Sequence, residues 1–202
     1  PVKAIAGEEI NVSATIFREG HDALGAQVVL FDASGEELTR SPLNEIWHGG
    51  DQFSGSVTIP SRGDFTFAIE AFDDPFATWH HDSEIKIAAD IDAELCCTIG
   101  QKIFQEKLDS DSSAKKLLTP AIKALGDKSL APANRFSQAT TPEIRTFFSQ
   151  FPLRRLVSTT EKYPIRADRQ RALVGAWYEF FPRSEGAVSD AHGRITLSLI
   201  HI

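Results

Sequence analysis

Three groupings of titratable side chains are the first places to look for chemistry in this 202-residue sequence. Glu19, His21 and Asp22 bring together the carboxylates and imidazole that acid–base catalysis uses. Their segment supplies no nucleophile and no oxyanion donors, and Gly20 and Gly25 read as turn residues, so a polar loop between two strands is expected. His80, His81 and Asp82 are metal-ligand types. On the strand expected there, neighbouring side chains point to opposite faces and cannot converge on one ion. Arg154, Arg155, Arg166, Arg169 and Arg171 form a locally basic stretch suited to phosphate or to a partner's carboxylates, against the plainer reading of a solvated helix end and loop.

Trp47, Trp79 and Trp177 have the flat faces that stack on pyranose rings, but Trp79 and Trp177 sit in strand-like runs where core packing is expected. Trp47-His-Gly-Gly-Asp51 lacks the βαβ context and the Gly-Lys-Ser/Thr of a phosphate loop, so its glycines read as turn residues. Cys96 and Cys97 are adjacent in a helix-like stretch, where their side chains diverge by about 100°. A disulfide between them is not expected, and with no second Cys or His pair at metal spacing they read as small core residues. No metal, no cofactor and no catalytic residue is assigned.

The elements that position these side chains follow from hydrophobic periodicity. From Glu8 to Ala88 the period is two, with strands expected at Ile10–Ile16, Val28–Phe31, Phe53–Ile59, Phe65–Phe72 and Glu84–Ala88, and turns at Ser34-Gly35, Gly49–Asp51, Ser61–Asp64 and Asp73–Pro75. That spacing argues for an immunoglobulin-like antiparallel β-sandwich. Near Asp90 the period becomes helical. Ile91, Leu95, Ile99 and Ile103 are expected on one buried face of a first helix. A second helix follows the Asp109–Ser113 cap cluster, buries Leu117, Leu118, Ala121, Ile122 and Leu125, is kinked by Pro120 and ends in a left-handed cap at Gly126. A third starts at Thr141-Pro142 and turns Ile144, Phe147, Phe148 and Phe151 inward, and Leu153, Leu156 and Val157 make a short fourth piece. Strand character returns in Arg171–Phe181. The fold class is mainly β with an α insert, a sandwich carrying an inserted helical bundle. Its expected divisions are 1–89 for the first part of the sandwich, 90–162 for the bundle, 163–184 for a final strand and lead-in to a further domain, and 185–202 for a tail outside the native fold.

The chain is 42% hydrophobic, enough for a real core, and its formal charge of −7 opposes a nucleic-acid backbone. It has neither a membrane-length apolar run nor a signal-peptide layout, so a cytoplasmic location is expected. A chain without methionine that begins at Pro1 reads as a piece of a longer protein.

Four blocks, Phe17-Arg-Glu-Gly-His-Asp-Ala23, Asp74-Pro-Phe-Ala-Thr-Trp-His80, Phe151-Pro-Leu-Arg-Arg-Leu156 and Gly175-Ala-Trp-Tyr-Glu-Phe-Phe-Pro-Arg-Ser184, occur here in order. With a helical stretch between the second and third, the chain resembles the N-terminal region of the bacterial α-1,4-glucan:maltose-1-phosphate maltosyltransferases of the α-amylase superfamily. The resemblance runs from about Ala4 to Ser184. It implies a parent enzyme that moves maltosyl units from α-maltose 1-phosphate to glycogen-type chains with retention, using two carboxylates on a barrel downstream of Ser184. It also implies a homodimer built through the helical insert. No residue of this chain matches that carboxylate pair, and Glu179, on the approach to the barrel, is not assigned to it. The alternatives are a free-standing carbohydrate-binding β-sandwich module and a structural interaction module without ligand. An exposed pair of coplanar tryptophans would favour the former, whereas a large apolar face on the helices would favour the latter or the maltosyltransferase reading.

Overall fold

The structure is a computed structural model that describes residues 1–47, 49–175 and 188–196. Residues 1–168 make one compact unit and 169–202 a second. The first unit is β-rich. Its strands in chain order are β1 (Val2–Ile5), β2 (Glu9–Thr15), β3 (Leu24–Phe31), β4 (Glu37–Glu45), β5 (Gln52–Thr58), β6 (Gly63–Asp73), β7 (Arg155–Thr159) and β8 (Tyr163–Asp168). Five helices stand between β6 and β7: α1 (Pro75–Ala88), α2 (Ala93–Ser110), α3 (Lys115–Gly126), α4 (Pro132–Ala139) and α5 (Pro142–Gln150).

The strands run in the order β1-β8-β6-β3-β4-β5-β2, with β7 added on β6. β1 pairs with β8 in parallel, Val2 opposite Ile165 and Ile5 opposite Asp168, whereas the other pairs of this sheet are antiparallel. Up to Leu43, β4 pairs with β3; from Asn44 it pairs with β5. The sheet turns there and curls into a nearly closed barrel. Period two survives on its inner face, where Val12, Ala26, Val28, Leu30, Val57, Phe65 and Ile165 share one core. β3 lies in the middle and is nearly all apolar, with Val28, Val29 and Leu30 fully buried.

The helices enclose a separate core around Phe76, Trp79, Phe104, Leu118 and Phe148. Phe76 and Phe148 stack face to face at 4.0 Å between centroids. The strand expected at Glu84–Ala88 is instead the end of α1. Asp74 caps that helix by accepting from the Ala77 N–H at 2.9 Å, and Pro75 occupies its first turn, so the segment read as a turn is a helix start. Of the expected stripe only Ile103 is buried; Ile91, which precedes α2, and Leu95 and Ile99 on α2 are exposed. The buried face begins with small residues, Ala93, Cys96, Cys97 and Gly100, where Trp79 of α1 presses against Gly100, and continues with Ile103, Phe104 and Lys107.

Gly126 lies inside α3, which is capped by Asp127 with φ −79°, so no left-handed cap forms. The short helix α4 was not foreseen, and the expected fourth helical piece is strand β7, with Leu156 81% exposed. α5 starts as expected at Thr141-Pro142 and buries Ile144 and Phe148, but Phe151 is exposed. Of the strand expected at Arg171–Phe181, residues 171–173 belong to a 3-10 turn, Gln170–Leu173, and 176–181 lie outside the described residues. In the second unit, β9 (Val188–Ser189) pairs with β10 (Ile195–Thr196). Their connection is held by Asp190, whose carboxylate accepts from the N–H groups of His192 and Arg194 at 2.9 Å.

Candidate functional site

The first two sequence blocks meet in space. The loop before β3 runs along the first turn of α1, where the Ala23 N–H donates to Thr78 Oγ1 at 2.9 Å and the Asp74 N–H donates to the Ala23 carbonyl at 3.0 Å. Arg18 pairs with Asp73 and, at 3.0 Å, with Asp22. This knot ties the β core to the helical core. Beside it opens a cleft of about 760 Å³ into which the loop contributes His21 and Asp22, α1 contributes His81 and Asp82, and the β4–β5 hairpin contributes Glu45 and Asp51.

The polar groups of two candidate clusters therefore line one cleft, a convergence not foreseen in the sequence. His80 is not among them. It lies on the other side of α1, half-buried between the rings of Phe76 and Phe136 at 6.1 and 5.6 Å. Burial holds its pKa below the ordinary histidine value, helped by the charge of Arg145 and opposed by Glu84. His80, His81 and Asp82 sit on a helix rather than a strand, where successive positions are about 100° apart. No set of three or more His, Cys, Asp or Glu among the described residues could hold a metal ion.

Trp79 is buried as expected, but in the helical core, where its Nε1–H donates to the Cys96 carbonyl at 2.7 Å. Cys96 and Cys97 are free and buried, and burial pushes the Cys97 thiol upward. Trp47 is 57% exposed at the tip of the β4–β5 hairpin. There Gly49 takes φ +74° and its N–H donates to Glu45 Oε1 at 2.8 Å, which is turn chemistry. Trp177, Glu179 and the block from 176 to 184 lie outside the described residues. Two members of the basic stretch are engaged by carboxylates: Arg154 donates to Glu70 at 2.6 Å and Arg155 pairs with Glu106. Glu70 also accepts from Arg40, so one carboxylate on the outer face of the sheet gathers two guanidinium groups.

In class this is a β-rich domain whose strands are interrupted by a helical layer, with the two joined by the Arg18–Asp73 and Ala23–Thr78 contacts. The family model for alpha-1,4-glucan:maltose-1-phosphate maltosyltransferase, domain N/S, matches residues 1–169. The chain belongs to that family. It is 42% identical over 195 residues to alpha-1,4-glucan:maltose-1-phosphate maltosyltransferase 2 of Streptomyces coelicolor, and the match covers 96% of this chain and 29% of the relative. Maltosyltransferase 1 of the same organism is 41% identical over 196 residues, again 96% of this chain and 29% of the relative. The Arcanobacterium haemolyticum enzyme is 38% identical over 194 residues, 95% of this chain and 28% of the relative. The chain thus spans less than a third of the length of these relatives. No helix among the described residues is long and apolar enough to cross a membrane.

Proposed function

We propose that this chain is the non-catalytic N-terminal portion of a cytoplasmic retaining glycosyltransferase that moves maltosyl units from α-maltose 1-phosphate to glycogen-type α-1,4-glucan chains. In this reading it supports a catalytic barrel and builds a homodimer through its helices. Its β part is an immunoglobulin-like sandwich whose two faces are joined at the bend of β4, the helices form an inserted bundle, and the segment after Tyr163 leads toward the barrel. The likeness to the maltosyltransferases along almost the whole chain supports the enzymatic context.

One observation carries the dimer. Ile85 on α1, Ile91 between α1 and α2, and Leu95 and Ile99 on α2 are 58, 55, 54 and 41% exposed, large aliphatics that the helical core leaves uncovered. Two copies related by a two-fold axis would cover each other's aliphatics and leave no open end, and a stable pair needs about 1,200–2,000 Å² buried in total. Leu118, Leu125, Ile144 and Phe148, by contrast, are consumed by the core.

Sedimentation equilibrium tests this reading. The chain is expected to form a dimer below about 100 μM, equivalent to roughly −5.5 kcal/mol or tighter. Leu95→Glu is expected to return it to a monomer with an unchanged melting curve. A strict monomer at that concentration would refute self-association by this chain.

A further inference from the structure

The strand path of the large sheet ends on one side at β1 and on the other at β2. Sheet edges are commonly guarded by keeping them short or by placing Lys, Pro or a bulge on them. β1 follows that pattern, with four residues and Lys3. β2 does not: it has seven residues, neither Lys nor Pro, and an unbroken register against β5. The Ile59 N–H donates to the Glu8 carbonyl at 2.9 Å and the Ile16 N–H to the Asp51 carbonyl at 2.8 Å, so the even-numbered positions of β2 are the ones bonded to β5. By the alternation of an antiparallel pair, the N–H and C=O groups of Glu9, Asn11, Ser13 and Thr15 point the other way, where β2 has no partner strand among the described residues.

A groove of about 480 Å³ is lined by residues 10–14 of β2 together with Val2 of β1, Phe67 of β6 and Tyr163 of β8. Its walls are reachable from solvent, since Val2 is 43% and Tyr163 37% exposed and Ile10, Ala14 and Phe67 are only partly buried. No charged side chain lines it. Part-covered core residues therefore adjoin a row of unpaired backbone groups. One kind of occupant answers both: an extended segment whose backbone bonds to the odd-numbered residues of β2 and whose alternate side chains are apolar and enter the groove.

The place of Val2 singles out the source. Through the antiparallel pairs from β8 round to β2 and the parallel β1–β8 pair, β1 and β2 run in opposite directions. Chain that enters Val2 in the direction of β1 is thus antiparallel to β2, and its attachment to a residue lining the groove gives it a high effective concentration there. A second copy's β2 would not serve, because its own Ile10, Val12 and Ala14 are committed to its own core.

We propose that β2 is completed by one further strand, the stretch of the parent protein that leads into Pro1, lying antiparallel along Glu9–Thr15 with alternate apolar side chains in the groove. The inference rests on the reading that this chain is a portion of a longer protein, and not on what that protein catalyses.

The test compares amide hydrogen exchange in the 202-residue chain with exchange in the same chain extended by the roughly 15 residues that precede Pro1 in the parent, enough for a strand and its connection. In the shorter chain Asn11 and Ser13 are expected to exchange fast and Val12 slowly. In the longer one Asn11 and Ser13 are expected to slow at least about tenfold, at any protein concentration. Ser13→Pro removes an N–H that is unbonded in the shorter chain, and is expected to abolish the slowing at Asn11 while the shorter chain still folds. Should it unfold, Val2→Lys, which sets a charge at an exposed wall of the groove, is expected to reduce the slowing. Equal exchange in the two chains, slowing that needs high protein concentration, slowing retained in folded Ser13→Pro, or a parent in which Pro1 directly follows the initiator methionine would each overturn the proposal. Phosphate release by the full-length parent is a separate readout: an active parent whose Asn11 and Ser13 amides exchange freely would sink this inference and leave the enzymatic reading standing.

Discussion

The Trp79 indole packs against Gly100, one helix on the next: a Cβ at Gly100 would lie 2.7 Å from Trp79 Cε2, and the indole N–H donates to the carbonyl of Cys96 at 2.7 Å. Glycine lets α1 and α2 approach, and the tryptophan fills the space so created. Gly100→Ala is expected to destabilise the chain by about 1–3 kcal/mol through overpacking. Trp79→Ala is expected to cost about 3–5 kcal/mol. Urea melts measure both, and a loss below about 1 kcal/mol for Trp79→Ala would contradict the packing described.

The tie between the two cores rests on Thr78, whose hydroxyl accepts from the Ala23 N–H at 2.9 Å and donates to the Asp74 carbonyl at 3.0 Å. Thr78→Val keeps the shape and removes both bonds, leaving a partly buried N–H without its partner. A loss of about 1–2 kcal/mol is expected, together with faster hydrogen exchange at Ala23. Unchanged exchange at Ala23 would mean that the loop is anchored elsewhere.

Much of the β core was legible in the sequence because β2 and β5 keep much of the alternation that a one-sided burial imposes. α1 was not, since Ile85 projects opposite to Phe76, Trp79 and Ile87 and blurs the helical period, and its cap, Asp74-Pro75, has the composition of a turn. The stripe Ile91, Leu95, Ile99 misled for a different reason. Periodicity marks the apolar face of a helix but not what faces it, and here Trp79 took the side of small residues and left the aliphatics outside. The polar cleft was invisible because His21 and Asp82 meet only through the fold, whereas the family blocks were readable as bare sequence.

His80 gives the stability of the chain a pH dependence. Its folded pKa lies below the unfolded value, so between the two the unfolded chain binds more protons and stability rises with pH. Acidification through the ordinary histidine range, about pH 6.5, should therefore weaken the fold, with no further loss from this group once pH is below its folded pKa. His80→Asn is expected to flatten that part of a pH series of thermal melts. The groups around it, Glu84, Arg145 and His81, remain in the variant as an internal control.

For catalysis, the expectation is a null result from the chain alone. Retaining transfer needs two carboxylates about 5–5.5 Å apart flanking the bond that breaks, and the proposed function places that pair outside this chain. Incubation with α-maltose 1-phosphate, with and without glycogen, is expected to release no phosphate. Acceptor-dependent release by the pure chain would overturn the non-catalytic reading.

The parallel zipper of Val2–Ile5 on Ile165–Asp168 gives the unit a mechanical character. In a parallel pair the N-terminal end of the first strand and the C-terminal end of the second point in opposite directions. A pull between Pro1 and Asp168 would therefore load the β1–β8 hydrogen bonds together in shear instead of peeling them one by one. Tension arriving through the downstream chain would meet this clamp before it reached the helices, whose attachment to the sheet lies outside the line of force.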